Sequence, residues 1–300
     1  MVTILLGGLK FVAYYLTGSD AILTDALESL INMVAGGFAL FSLYYASRPQ
    51  DEDHPYGHGK IEFISAGFEG GLILIAGLTM SGKAIYGFFH PPELQALPTG
   101  IALTAISGLI NGGLGYYLTR IGKANSSPTM TADGKHLLTD TYSSGALVVG
   151  LLVIELSGIQ LFDQVLTLLF GTFILYTGFR LIRESVAGLL DEADYETLGR
   201  IINILNQNRR IKWIDIHNLR VQKYGSFLHI DAHLTLPWYD NLQEVHDEVE
   251  ALETLVRQQM GNRVELFIHA DPCQPSSCPI CTVADCPVRQ YPFKERVPWK

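Results

Sequence analysis

Five side chains with metal-ligand chemistry sit at helical spacing in two apolar stretches that lie far apart in this 300-residue chain. The first stretch, Ile22 to Ala46, is long enough to cross a bilayer and carries Asp25, Glu28 and Asn32. At 100° per residue these three fall within about 60° of one another, on one helical face. The second stretch opens His136-Leu-Leu-Thr-Asp140, with an imidazole and a carboxylate at i and i+4. A carboxylate near the bilayer centre costs ~2.5–3.5 kcal/mol on insertion scales, so such a stripe faces a partner and not lipid. Carboxylates, an amide and an imidazole brought together between two helices make a tetrahedral cage for a divalent cation such as Zn²⁺. Glu28, Asn32, His136 and Asp140 are the preferred ligands, and Asp25 is a fifth member or an acceptor for His136. A buried polar network that only glues helices is the competing reading. Five ligand-type groups on two helices favour the ion site, whereas Glu69, alone in its stretch, reads as a structural hydrogen-bonding group.

Three other clusters offer ligands. In the loop after the first stretch, Asp51, His54 and His58 stand together, with Glu52 and Asp53 beside them and a Pro-Tyr-Gly turn between the imidazoles. The set suits zinc, and equally it could be a solvated loop. Further on, His217, His233 and His269 each lie in a strand-like segment, and Asp271 follows two residues later. Alternation sends Ile230, Ala232 and Leu234 inward and His229, Asp231 and His233 outward; Val264, Leu266 and Ile268 go in, leaving His269 out. Outward histidines on adjacent strands can share a metal, with His246 joining from a helix above, or form a polar surface without one. All four cysteines lie in the tail, as Cys273, Cys278, Cys281 and Cys286. Cys278-Pro-Ile-Cys281 has zinc-knuckle spacing, and a reducing cytosol disfavours disulfides. The four could close one tetrahedral site or remain reduced thiols with no fixed role.

The elements that must position these groups follow from hydropathy. Apolar runs cover Val2–Thr17, Ile22–Ala46, about Ile64–Phe89, Pro98–Leu118, Met130–Leu156 and Phe162–Ile182. Turns are expected at Gly18-Ser19-Asp20, His90-Pro-Pro and Ser157-Gly158, and Gly67 and Gly71 permit close helix contact in the third run. The first run is near the lower limit for a span, and an incomplete amino terminus is expected. No cleaved signal peptide is expected, because no basic leader precedes the run. Beyond Leu190 the chain turns polar. Tyr195–Asn208 has helical periodicity; Trp213–Gln222, Phe227–Leu236 and Arg263–Ala270 alternate as strands. Asp240-x-x-Gln243 resembles a capping box for a helix with Leu242, Val245, Val249, Leu252 and Val256 on its inner face. The expected fold is an all-α, six-helix transmembrane domain over residues 1–190, then an α+β domain of αββαβ order (ferredoxin-like, metallochaperone-like) over 191–272, then a cysteine-containing tail over 273–300.

Charge is consistent with this division. Net charge is −9, which argues against nucleic acid as a partner, and mean hydropathy of +0.21 fits a membrane domain joined to a soluble one. The loops after spans two, four and six hold Arg48, Lys60, Arg120, Lys123, Lys135, Arg180 and Arg183, while the opposite loops hold no Lys or Arg. That asymmetry puts the first set, both termini and the C-terminal domain in the cytoplasm.

With those residues in hand the chain resembles the cation diffusion facilitators (CDF), and among them the bacterial ferrous-iron/zinc efflux type (YiiP-like). The resemblance runs from the first span to Cys273. It implies a dimeric, proton-coupled exporter of divalent metals and no enzyme activity. It implies a transport site at Glu28, Asn32, His136 and Asp140, and a loop site at Asp51, His54 and His58. It implies a binuclear site in the C-terminal domain at His217, His233, His246, His269 and Asp271, and a charge interlock between protomers of Lys60 with Asp191. The chain departs from the family pattern in having Glu and Asn on span two where two Asp are common, which removes one negative charge from the cage.

The expected function is therefore proton-coupled antiport of a divalent cation, Zn²⁺ foremost, with Cd²⁺, Fe²⁺, Co²⁺ or Mn²⁺ as alternatives, by a homodimer in the cytoplasmic (inner) membrane. Metal must bind deprotonated ligands, so protons are the natural counter-ion. A metal channel and a membrane-anchored metal sensor are the rivals. No nucleotide-binding loop or nucleophile–base pair stands out, which argues against an ATP-driven pump or an enzyme.

Overall fold

The structure, a computed structural model, describes residues 2–90, 94–124, 128–225, 227–261 and 263–299, less the side chains of 2–3, 122, 128–133 and 136. The chain forms two compact units, Met1–Phe41 with Ser65–Ser185 and Ser42–Ile64 with Val186–Lys300.

The first unit is built from α1 (Val2–Thr17), α2 (Asp20–Ala46), α3 (Ile61–Phe89), α4 (Leu97–Ala124), α5 (Pro128–Ser157) and α6 (Leu161–Leu189). Five of these contain segments long and apolar enough to cross a membrane, and α1 contributes a shorter apolar helix, Ile4–Thr17. Helices are the economical solution, because in hydrocarbon every backbone N–H and C=O must be satisfied within the segment. Large apolar residues such as Leu40, Leu109 and Leu156 point outward, as lipid solvation requires. Gly18 and Gly158 turn the chain at positive φ, where an L side chain would be strained.

Small residues set the helix contacts. A Cβ on Gly115 of α4 would come within 2.8 Å of the Gly134 carbonyl oxygen of α5, so these backbones nearly touch. Between α3 and α6 the close residues are Gly70, Gly77, Gly171 and Gly178. The expectation for Gly71 fails: it meets nothing within 4 Å, being one residue round the helix from the contact line, although Gly67 does approach Ser185. The start of α2 is held by a buried carboxylate. Asp163 of α6 accepts from the Ser19 hydroxyl at 2.5 Å and the Asp20 N–H at 2.8 Å, a favourable place for negative charge.

The C-terminal part of the second unit runs α7 (Tyr195–Gln207), β1 (Asp215–Tyr224), β2 (Phe227–Leu236), α8 (Leu242–Met260) and β3 (Val264–Pro272). The three-stranded sheet has order β1-β2-β3, antiparallel then parallel. Ile216, Ile230, Ala232, Leu234, Val264 and Leu266 form one core with Ile201 and Leu205 of α7 and Leu252 and Val256 of α8. The expected cap of α8 shifts by one residue. Asn241 accepts from the Glu244 N–H at 3.0 Å and Glu244 accepts from the Asn241 N–H at 2.9 Å, while Asp240 pairs with Lys212. Leu242, expected inside, is exposed because that shift places it in the open first turn.

Candidate metal centres

In the helical unit, Asn32 of α2 and Asp140 of α5 line a single cavity of about 460 Å³, together with Ser29, Glu69 and Asn111. Glu28 lies in electrostatic reach of Asp140, Asp25 and Lys10. Two helices with 81 residues of sequence between them thus turn their polar stripes toward each other. The side chain of His136 lies outside the described residues, and its backbone is one turn before Asp140 in α5. Glu69, expected to be structural, faces the same cavity.

Asp25 is engaged elsewhere. Lys10 of α1, 2 % exposed, donates to its Oδ1 at 2.8 Å and to the Ser29 hydroxyl oxygen at 2.9 Å. Lys10 thus engages Oδ1 of Asp25, while Oδ2 has no hydrogen-bond partner among the described residues. Lys10 escaped the sequence reading because a single Lys barely lowers the hydropathy of an apolar run. Its presence there was the signal: an intramembrane charge needs a partner.

In the second unit, the loop closes Asp51, His54 and His58 so that one ligand atom from each lies within 4.8 Å of the others. Asp51 accepts from the His54 N–H at 2.7 Å, its Oδ1 is 3.1 Å from His54 Nδ1, and its Oδ2 is 3.3 Å from His58 Nε2. Gly57 makes the bend at positive φ. His58 is buried beneath Tyr45, and its Nδ1 has no partner among the described residues. An orphaned buried imidazole nitrogen and a carboxylate in one small loop fit a divalent cation.

The sheet builds a second centre by register. His217 is directly opposite His233, and His233 directly opposite His269, so three imidazoles form one rung across β1, β2 and β3. Asp271 reaches all of them: its Oδ2 is 2.9 Å from His233 Nδ1 and 3.3 Å from His217 Nε2, and its Oδ1 is 2.9 Å from His269 Nδ1. Burial acts to push the Asp271 carboxyl up, but the hydrogen bond with His233 and the three imidazoles hold it below the ordinary carboxylate range. The donor set suits Zn²⁺ or a similar ion.

Two expectations need correction here, those for His246 and His229. His246 does not join this centre: it sits exposed on α8, whose apolar face covers the opposite side of the sheet from the rung. His229, expected outward, is buried at 6 % exposure, because Tyr56 of the loop packs edge-on against its ring and Tyr224 and Phe227 flank it. Lys60 and Asp191, expected to interlock two protomers, meet within one chain at 2.9 Å. The Lys60 ammonium also lies over the Tyr224 ring. Burial is the largest single influence and opposes its charge, but the hydrogen bond to Asp191 and the charges of Tyr224 and Asp191 together outweigh it and raise the pKa. The four tail cysteines line one cavity beside Trp238.

A helical membrane unit with an intramembrane carboxylate–amide pocket, followed by an α+β domain with a histidine rung, is the build of a multi-pass metal transporter. Comparison with known proteins narrows this. A family model described as the cation efflux transmembrane domain matches residues 1–190, and one described as cation efflux protein, cytoplasmic domain, matches residues 193–273. The chain belongs to the cation efflux family, whose members are transporters and not enzymes. An uncharacterized transporter of Synechocystis sp. is 33 % identical over 268 residues, 89 % of this chain and 86 % of its own. The cation-efflux pump FieF of Serratia proteamaculans is 30 % identical over 274 residues, 88 % and 87 % of the two chains. That of Yersinia pestis is 29 % identical over 273 residues, with the same coverage.

Proposed function

We propose that this protein exports divalent cations from the cytoplasm in exchange for protons, with Zn²⁺ as the principal cargo and Cd²⁺, Fe²⁺, Co²⁺ or Mn²⁺ as the alternatives. The observation that carries the proposal is the pocket shared by Asn32 and Asp140, with Glu28 in electrostatic reach of Asp140. Glu28, Asn32, His136 and Asp140 supply two carboxylates, an amide and an imidazole. That donor set binds a divalent ion only when the imidazole is neutral and the carboxylates are ionised. Facing a neutral cytosol, the ligands load cargo. Facing outward, the same groups take up protons and release it. Asn32, where the family commonly has Asp, leaves the cage one charge less negative, which reduces the Coulomb attraction for any divalent ion.

The protein acts as a homodimer in the cytoplasmic membrane with both termini inside. The basic loops support the orientation, and the second family model, named for dimerisation, supports the dimer. Asp51, His54 and His58 would hold one regulatory ion, and His217, His233, His269 and Asp271 would hold further metal that biases the domain toward one arrangement when metal is plentiful.

Transport into proteoliposomes tests the reading, with a metal indicator and a pH-sensitive dye inside and a panel of divalent ions outside. Cation uptake with matched proton efflux from the lumen is expected. Uptake without proton movement would make the protein a channel, and no uptake of any ion while the C-terminal domain binds metal would make it a sensor.

A further inference from the structure

The family models end at Cys273, and the chain continues for residues that neither covers. We propose that this tail carries a resident thiolate metal site, formed by Cys273, Cys278, Cys281 and Cys286 and taking one Zn²⁺ or a comparably soft divalent ion. The proposal is independent of the transport site.

The four thiols are free. They line one cavity of about 40 Å³, with Trp238 and Arg289 on its wall. Four thiols lining one cavity are soft donors, and such a set selects a soft, tetrahedral cation over Mg²⁺ or Ca²⁺. The backbone is arranged to match. Residues Pro275–Ile280 form a 3-10 turn that carries Cys278 and ends at Cys281, whose N–H donates to the Cys278 carbonyl at 3.3 Å. The backbone of Gln290 and Tyr291 lies beside Cys278, and that of Trp238 beside Cys273, so that N–H dipoles stand next to the thiols. Polar groups around a metal ligand orient it and stabilise the charge it carries. Arg289 donates to the carbonyls of Cys278 at 3.1 Å and Cys281 at 3.2 Å, placing a guanidinium beside a site that four thiolates would make dianionic with Zn²⁺ bound.

The chain beyond the cysteines shows what the site holds in place. Lys294 N–H donates to the Pro279 carbonyl at 2.8 Å. Arg209 donates to the Val297 carbonyl at 2.8 Å and lies 4.3 Å from the Trp299 ring centroid. Asn206 of α7 makes two hydrogen bonds with the Trp299 backbone, and Trp299 is buried in the domain core. The tail is a strap from the end of β3 to α7, and the metal would be its clasp.

Co²⁺ titration of the purified, reduced full-length protein tests this. The other candidate centres use oxygen and nitrogen, so only the tail can produce sulfur-to-cobalt charge-transfer absorption. One equivalent per protomer is expected to develop that absorption. Zn²⁺ should bleach it; Cys278→Ser and Cys281→Ser should lose it; Asp140→Ala and His233→Ala should retain it. Thiol titration of the wild-type protein reads the same site without substitution: four thiols protected with Zn²⁺ bound and reactive after chelation. Absence of the charge-transfer band in reduced wild-type protein, a band that survives both cysteine substitutions, or thiols found paired as disulfides in the purified protein would overturn the proposal.

Discussion

Lys10→Met removes the cation facing Asp25 while keeping a side chain of similar length, and its effect can be worked from the geometry. The pair is 2.8 Å apart with side-chain exposures of 2 % and 10 %, and Asp25 Oδ2 already lacks a hydrogen-bond partner among the described residues. Breaking a buried pair from one side costs ~3–5 kcal/mol, against ~0–1 kcal/mol for an exposed one. Replacing both partners by apolar groups of similar volume is often neutral. Lys10→Met and Asp25→Leu should therefore each strongly reduce the fraction of detergent-solubilised protein that survives a heat step as a single peak on a sizing column. The double variant should recover most of the loss, giving a coupling of ~3 kcal/mol. Because Lys10 engages Asp25 through Oδ1, the double variant is expected to keep metal transport as well. Singles as stable as the wild type, or a double variant no better than the worse single, would refute the reasoning.

The C-terminal domain gives further tests, read by fluorescence because all three tryptophans, Trp213, Trp238 and Trp299, lie in it. Asp194 caps α7 by accepting from the N–H groups of Glu196 and Thr197 and pairs with Lys223. Asp194→Ala should destabilise the domain by about 1–2 kcal/mol in denaturant titration, ~1 from the cap and ~0.2–1 from the pair. Lys223, and then the Thr197 hydroxyl, hold the Asp194 carboxyl well below the ordinary range. Its charge-dependent contribution is thus present above pH ~4 and lost as pH falls below it, so Asp194→Asn and wild type should converge in stability there. Asp271→Asn, which removes the carboxylate common to three imidazoles, should weaken Zn²⁺ binding to this domain about 10–100-fold by calorimetry in a background lacking the loop ligands.

How much was readable beforehand depended on the range of the interaction. The αββαβ order and the polar stripes of α2 and α5 were legible because period-2 and period-3.6 patterns are local. The cap of α8 was misplaced by one residue because Asp240 and Asn241 are both good caps, and only the fold assigns Asp240 to Lys212. His229 was misread because alternation knows the sheet but not the loop that brings Tyr56 over it. His246 failed for a related reason: its ligand chemistry is sound, but α8 covers the wrong face. The Lys10–Asp25 pair needed two helices in register, information no single hydropathy window contains.

The central claim is that the stripes of α2 and α5 converge on the cargo. Zn²⁺ uptake by proteoliposomes containing Asp140→Ala, beside wild type at equal protein density, tests it most directly. The account predicts that uptake falls to the level of protein-free vesicles while the C-terminal domain keeps its Zn²⁺ affinity. Uptake equal to wild type would contradict it.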